Sequence, residues 1–123
     1  MDNSVTFNMA ELTNYRIHVI LLELKQYRHL KRYSEWFKAI QDLFLETISF
    51  LTAKEQAEFN RHMRTITERA RDIKRIKDDN NKTIEQVPID LPALMLQFEV
   101  DSRLLLYKKG VLTAKTQDPS RLL

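Results

Sequence analysis

The chain has 123 residues, 43% of them hydrophobic and 30% charged, with a formal net charge of +3. That is a globular balance with enough length for one core, not the composition of a disordered chain. There is no cysteine, which excludes disulfides and thiolate metal sites and fits a reducing, cytoplasmic setting.

Punctuation is the most informative pattern. Neither glycine nor proline occurs before Pro88, and Gly110 is the only glycine. Both residue types interrupt helices and shape tight turns, so the spacing predicts helix almost throughout Met9 to Lys77. The same absence rules out a glycine-rich phosphate cradle, a nucleophile elbow and a dinucleotide fingerprint. Met1 to Ala10 has neither the basic region nor the apolar region of a signal peptide, and no uncharged run approaches the roughly 20 residues of a membrane span.

The first predicted helix covers Met9 to Lys31. Asn8 is its expected N-cap, Glu11 completes a capping box, and Val5 or Phe7 staples the entry. Its apolar residues leave one polar stripe, Glu11, Asn14, His18, Lys25, His29 and Arg32. The run Val19 to Leu22 also suits a strand by propensity, but the surrounding pattern is too long for one. The second helix is expected from Ser34, as N-cap, to Leu51, with Trp36, Ile40, Leu43, Phe44, Ile48 and Leu51 on one face. Nothing at Arg32 or Tyr33 forces a break between the two.

Thr52-Ala53-Lys54-Glu55 reads as a capping box opening a third helix. Phe59, Met63, Ile66, Ala70 and Ile73 continue it, and the pattern fades at Asp78-Asp79-Asn80-Asn81. Residues 82–90 read as a connection. A fourth helix is expected from Asp90, as N-cap, through Pro92 in the first turn to Lys109, with Gly110 as terminator. A competing reading makes Leu104 to Ala114 a hairpin. The fourth helix has two apolar faces. One holds Leu91, Leu94, Met95, Phe98, Leu105 and Leu106; the other holds Leu96, Val100, Leu104 and Tyr107. Narrow polar strips with Gln97, Asp101 and Lys108 on one side, and Glu99 and Arg103 on the other, separate them. The expected core is Ile20, Leu24, Trp36, Ile40, Phe44, Ile48, Met63, Ile66, Phe98 and Leu105. The expectation is an all-α, single-domain bundle of about four helices over residues 1–112, with a tail over 113–123 that is mobile or docked on a partner.

Chemical constellations are sparse. Glu-x-x-His pairs of di-iron bundles are absent, since Tyr15, Gln26 and Phe59 stand three residues before His18, His29 and His62. His18 and His29 lie about 16 Å apart on one helix. Glu58 and His62 are at i, i+4, an ordinary surface pair. Glu23 and Asp101 interrupt apolar runs as helix-face charges. No nucleophile with an orienting group is evident, so the expectation is a non-enzymatic protein with no cofactor, no metal, no small-molecule substrate and no membrane association.

Two binding readings remain. Seven Lys or Arg and two acids fall between Arg61 and Lys77. Arg61, Arg64, Arg71 and Arg75 would form a stripe along one side of the third helix, able to track nucleic-acid phosphates. A second basic run, Lys25, Arg28, Lys31 and Arg32, is interleaved with Tyr27 and Tyr33. The ordinary account is a solvated face with pairs such as Arg64–Glu68. The preferred reading is an oligomeric helical assembly or adaptor protein, docking a partner or a second copy through Leu96, Val100, Leu104 and Tyr107, with Leu122 and Leu123 capping part of that strip. Chains of this kind occur as accessory subunits of larger complexes, including viral ones.

Overall fold

A computed structural model describes residues 9–113. In chain order the elements are α1 (Met9–Leu30), α2 (Tyr33–Thr47), a 3-10 turn at Ile48–Phe50, α3 (Ala53–Ala70), β1 (Lys74–Lys77), β2 (Thr83–Gln86) and α4 (Leu91–Lys108). The molecule is therefore mostly helical but not all-α. The expected caps and staple at Val5, Phe7 and Asn8, and Leu122 and Leu123, lie outside the described residues.

The break between α1 and α2 is made by a lysine. Lys31 adopts φ 56°, its N–H donates to the Arg28 carbonyl, and the Arg32 N–H reaches back to the Tyr27 carbonyl at 3.0 Å. This pair of bonds is a Schellman ending, which satisfies the last carbonyls of α1 and reverses the chain. Gly110, at φ 76°, ends α4 in the same way: its N–H meets the Tyr107 carbonyl and that of Val111 meets the Leu106 carbonyl. Leu104 to Lys108 are helix, so the competing hairpin there does not form.

Ser34 is not the N-cap of α2. Arg32 holds that position without a side-chain cap, and the Glu85 carboxylate from β2 takes over, accepting from the Ser34 N–H at 3.1 Å and from the Ser34 hydroxyl. A negative group here complements the positive end of the helix. The α3 capping box is present in both halves. At α4, Asp90 occupies the N-cap position but makes no cap bond; its carboxylate instead takes the Arg69 guanidinium at 2.9 Å.

The expected helix over residues 71–77 is overturned. The α3 helix stops at Ala70 with two tight bonds, Asp72 N–H to Arg69 and Ile73 N–H to Ala70, and residues 74–77 pair antiparallel with 83–86. The acidic and amide residues that resemble a helix stop are the hairpin turn. The Asp78 carboxylate accepts the N–H groups of Asn80 and Lys82, and Asn81 supplies the positive φ, 61°. That is a type I turn closed by a left-handed residue, a common three-residue hairpin connection. Strand pairing and β-branched Ile76, Thr83 and Ile84 outweigh the helix propensity of Lys and Arg.

One core runs through all four helices. Ile17, Ile20 and Leu24 of α1 meet Trp36, Ile40 and Leu43 of α2, Phe59, Met63 and Ile66 of α3, and Leu91, Met95, Phe98 and Leu106 of α4, closed by Leu112. Phe98 sits edge-on to Phe59 and Phe44, with ring centroids 5.3 and 6.1 Å away, a favourable aromatic geometry. Of the expected core, Phe44, Ile48 and Leu105 are only half-buried. The α4 helix packs against α2 and α3 through its inner face.

Candidate functional site

The outer face of α4 carries an apolar strip that the other described residues leave uncovered. Residues 96, 100, 104 and 107 recur at spacings of four, four and three, so they share one side of the helix. The inner side is fixed by Met95, Phe98, Ser102 and Leu106, all buried. Leu96, Val100, Leu104 and Tyr107 are left 41%, 40%, 64% and 41% exposed. Ala93 extends the strip by one turn and is also exposed.

The strip has two unlike borders. Toward α3 lie Gln97 and Asp101, hydrogen-bonded to each other at 2.8 Å, and Lys108. Toward α1 lies a cationic cluster built around one buried acid. Glu99 is 3% exposed; one carboxylate oxygen takes the Arg28 guanidinium at 2.8 Å and the other faces that of Arg103 at 3.7 Å. A carboxylate shielded from water this well needs such partners, since an unpaired buried charge is costly. Lys25, His18 and Tyr107 line the same cleft, about 40 Å³ in volume.

Polar residues of both helices are drawn inward here. The polar stripe of α1 does not face solvent as a whole: Asn14 and His18 are buried, and the Asn14 amide donates to the Val111 carbonyl just past α4. Nor is Glu99 part of a solvated strip; its neighbours Val100 and Arg103 are exposed while it turns inward. Neither was legible from the sequence, because Glu99 stands on the boundary between two apolar faces and its partner Arg28 is 71 residues away. The one available signal was an acid beside arginine at i, i+4 inside an otherwise apolar helix.

The arginine stripe is not continuous. Arg61 and Arg64 lie exposed on α3, Arg71 in the turn after it, and Arg75 on β1, so no single helix face carries all four. Arg75 stands opposite Glu85 across the hairpin. The hairpin instead presents Ile76 and Ile84, a cross-strand pair that is partly exposed, and Ile89 beyond it is almost fully exposed. A shallow groove of about 390 Å³ between α1 and α2, edged by the exposed Tyr15 and Leu45, presents a further apolar area.

Two ion-paired joints perturb titration: the Asp90 carboxylate raises the Arg69 guanidinium above its ordinary value, and the stronger effect is at Glu55. The Lys109 ammonium lies 2.6 Å from Glu55, which also accepts the Thr52 N–H at 2.9 Å. The lysine first, and the backbone N–H next, hold the Glu55 carboxyl down at about 2, from an ordinary 4.5. This joins the start of α3 to the end of α4. Among the described residues no three His, Asp or Glu side chains converge as metal ligands, and no helix is long and apolar enough to cross a membrane. Comparison with protein families, characterised proteins and solved structures finds no match.

Proposed function

We propose that the chain is a non-enzymatic helical adaptor, an accessory subunit that joins a larger assembly by docking the outer face of α4 onto another protein chain. The observation that carries this reading is the exposed strip Leu96, Val100, Leu104 and Tyr107. A contiguous apolar surface on a helix loses its contact with water only by association, and such patches mark interaction sites. The strip is supported from beneath by the tightly packed inner face, so it is a rigid platform, and docking on it requires little reordering.

The test is assembly size. The tagged protein purified from its native cell elutes in a complex larger than one chain, and Val100→Glu combined with Leu104→Glu elutes as a folded monomer. Light scattering measures the size and circular dichroism the fold. A wild-type monomer with no partner contradicts the reading. So does a double variant that unfolds, since that would place the strip in the core.

A further inference from the structure

Resting on the adaptor reading, we infer that the partner seated on α4 is an amphipathic helix with an acidic flank, which places its carboxylates over Lys25, Arg28 and Arg103 while its apolar residues cover Leu96, Val100, Leu104 and Tyr107. The argument starts from charge along the α1-side border. Three permanent cations line that cleft, and its only carboxylate, Glu99, is turned inward and nearly sealed from solvent. Glu99 holds the guanidinium groups of Arg28 and Arg103 in place through separate oxygens. Each is still part-exposed, with 33% and 47% of its side chain in solvent, so N–H donors remain for a second carboxylate. Arginine forks suit bidentate carboxylate binding, and Lys25, exposed on α1, widens the same positive field.

The shape of the strip suits a helix. Its four apolar residues run along 12 residues of α4, about 16 Å from first to last, a span that three turns of a partner helix cover with anchors at i, i+3 or i+4, and i+7. The opposite border carries one acid, Asp101, hydrogen-bonded by Gln97, and one base, Lys108, so it has no net charge to set against the three cations.

A second copy of this chain docked antiparallel fits less well. An antiparallel face-to-face pair of α4 helices, related by a twofold axis in the interface, brings each lateral border against its own copy. Lys25, Arg28 and Arg103 would then face the same three cations, and like charges juxtaposed at an interface are unfavourable. An acidic partner meets the border with the opposite sign.

The experiment selects binders from a displayed library of random 18-residue helical peptides against the full chain. The selected peptides are then measured by fluorescence anisotropy against the wild type and three variants, Leu104→Glu, Lys25→Glu and Arg103→Gln. The selected peptides are expected to carry Leu or Phe at helical spacing beside Asp or Glu. They should lose at least tenfold in affinity on Leu104→Glu and on Lys25→Glu, and they should weaken as salt rises. Lys25 makes neither of the Glu99 ion pairs, and Arg103→Gln, which keeps a donor there, should weaken acidic peptides less than Lys25→Glu; circular dichroism separates loss of fold from loss of binding. Peptides that bind in a Leu104-dependent way but are neutral or basic, and ignore Lys25→Glu, overturn the acidic partner and leave the adaptor reading standing. Peptides insensitive to Leu104→Glu overturn both. A wild-type dimer that Leu104→Glu dissociates assigns the face to a second copy and overturns this inference.

Discussion

Replacing Arg28 by methionine keeps most of the apolar stem and removes the charge that Glu99 faces. Glu99 loses a 2.8 Å ion-paired hydrogen bond and is left with Arg103 at 3.7 Å, too long for a hydrogen bond. A hydrogen bond to a charged group contributes about 1.5–3 kcal/mol, and stripping one partner from a fully buried pair costs about 3–5 kcal/mol. Here the remaining arginine and the one-third exposure of Arg28 reduce the penalty, so the expected cost is about 2 kcal/mol, in the range bounded by those effects. For a domain of this size that is a fall in Tm on the order of 10 °C. Denaturant unfolding of the wild type, Arg28→Met, Glu99→Gln and the double variant measures it. The double variant should be no less stable than Arg28→Met alone, because the orphaned charge has gone, which gives a coupling of about 1 kcal/mol or more between neighbours. A cost below about 0.5 kcal/mol with additive effects, the behaviour of an exposed ion pair, would refute the picture of a sealed carboxylate held by two arginines.

Other outcomes follow from the same structure. Phe98→Ala and Ile40→Asp should each destabilise severely, with about 3–5 kcal/mol for the truncated ring, and an unchanged melting temperature would put the core elsewhere. Lys31→Gly should stabilise by about 0.5–1 kcal/mol, because φ 56° suits glycine better than a side chain with a Cβ; thermal melts decide. Glu55 has a folded-state pKa of about 2, below its ordinary 4.5, so the unfolded chain binds more protons between those values. Its contribution is present above about pH 4.5 and is lost as pH falls toward 2. Melting curves of the wild type and Glu55→Gln should therefore converge in that window, and parallel curves would show that the Lys109 contact is not formed.

The helices were legible where local chemistry and apolar period agreed. The capping box at Thr52, the terminator at Gly110 and the inner faces of α2 and α3 all follow from short-range patterns. What escaped the sequence depends on distant pairing. Residues 74–77 are good helix formers, and only their partnership with 83–86 makes them strand, while Asp78 to Asn81 serve a helix stop and a hairpin turn equally well. The α1–α2 break needs a left-handed lysine, which no residue preference announces. Glu85 capping α2 and Arg28 reaching Glu99 span 51 and 71 residues, beyond any periodicity. The outer strip of α4 could be written down as a second apolar face, and α2 and α3 close on Phe98 from the other side, leaving that strip part-exposed.

The most direct measurement places a photoreactive benzoyl-phenylalanine at Leu104, with Arg64 on α3 as the control position, and irradiates the native cell. Docking through the outer face of α4 predicts one discrete covalent adduct from position 104 and none from position 64. No adduct from position 104, or the same adducts from both positions, would contradict it.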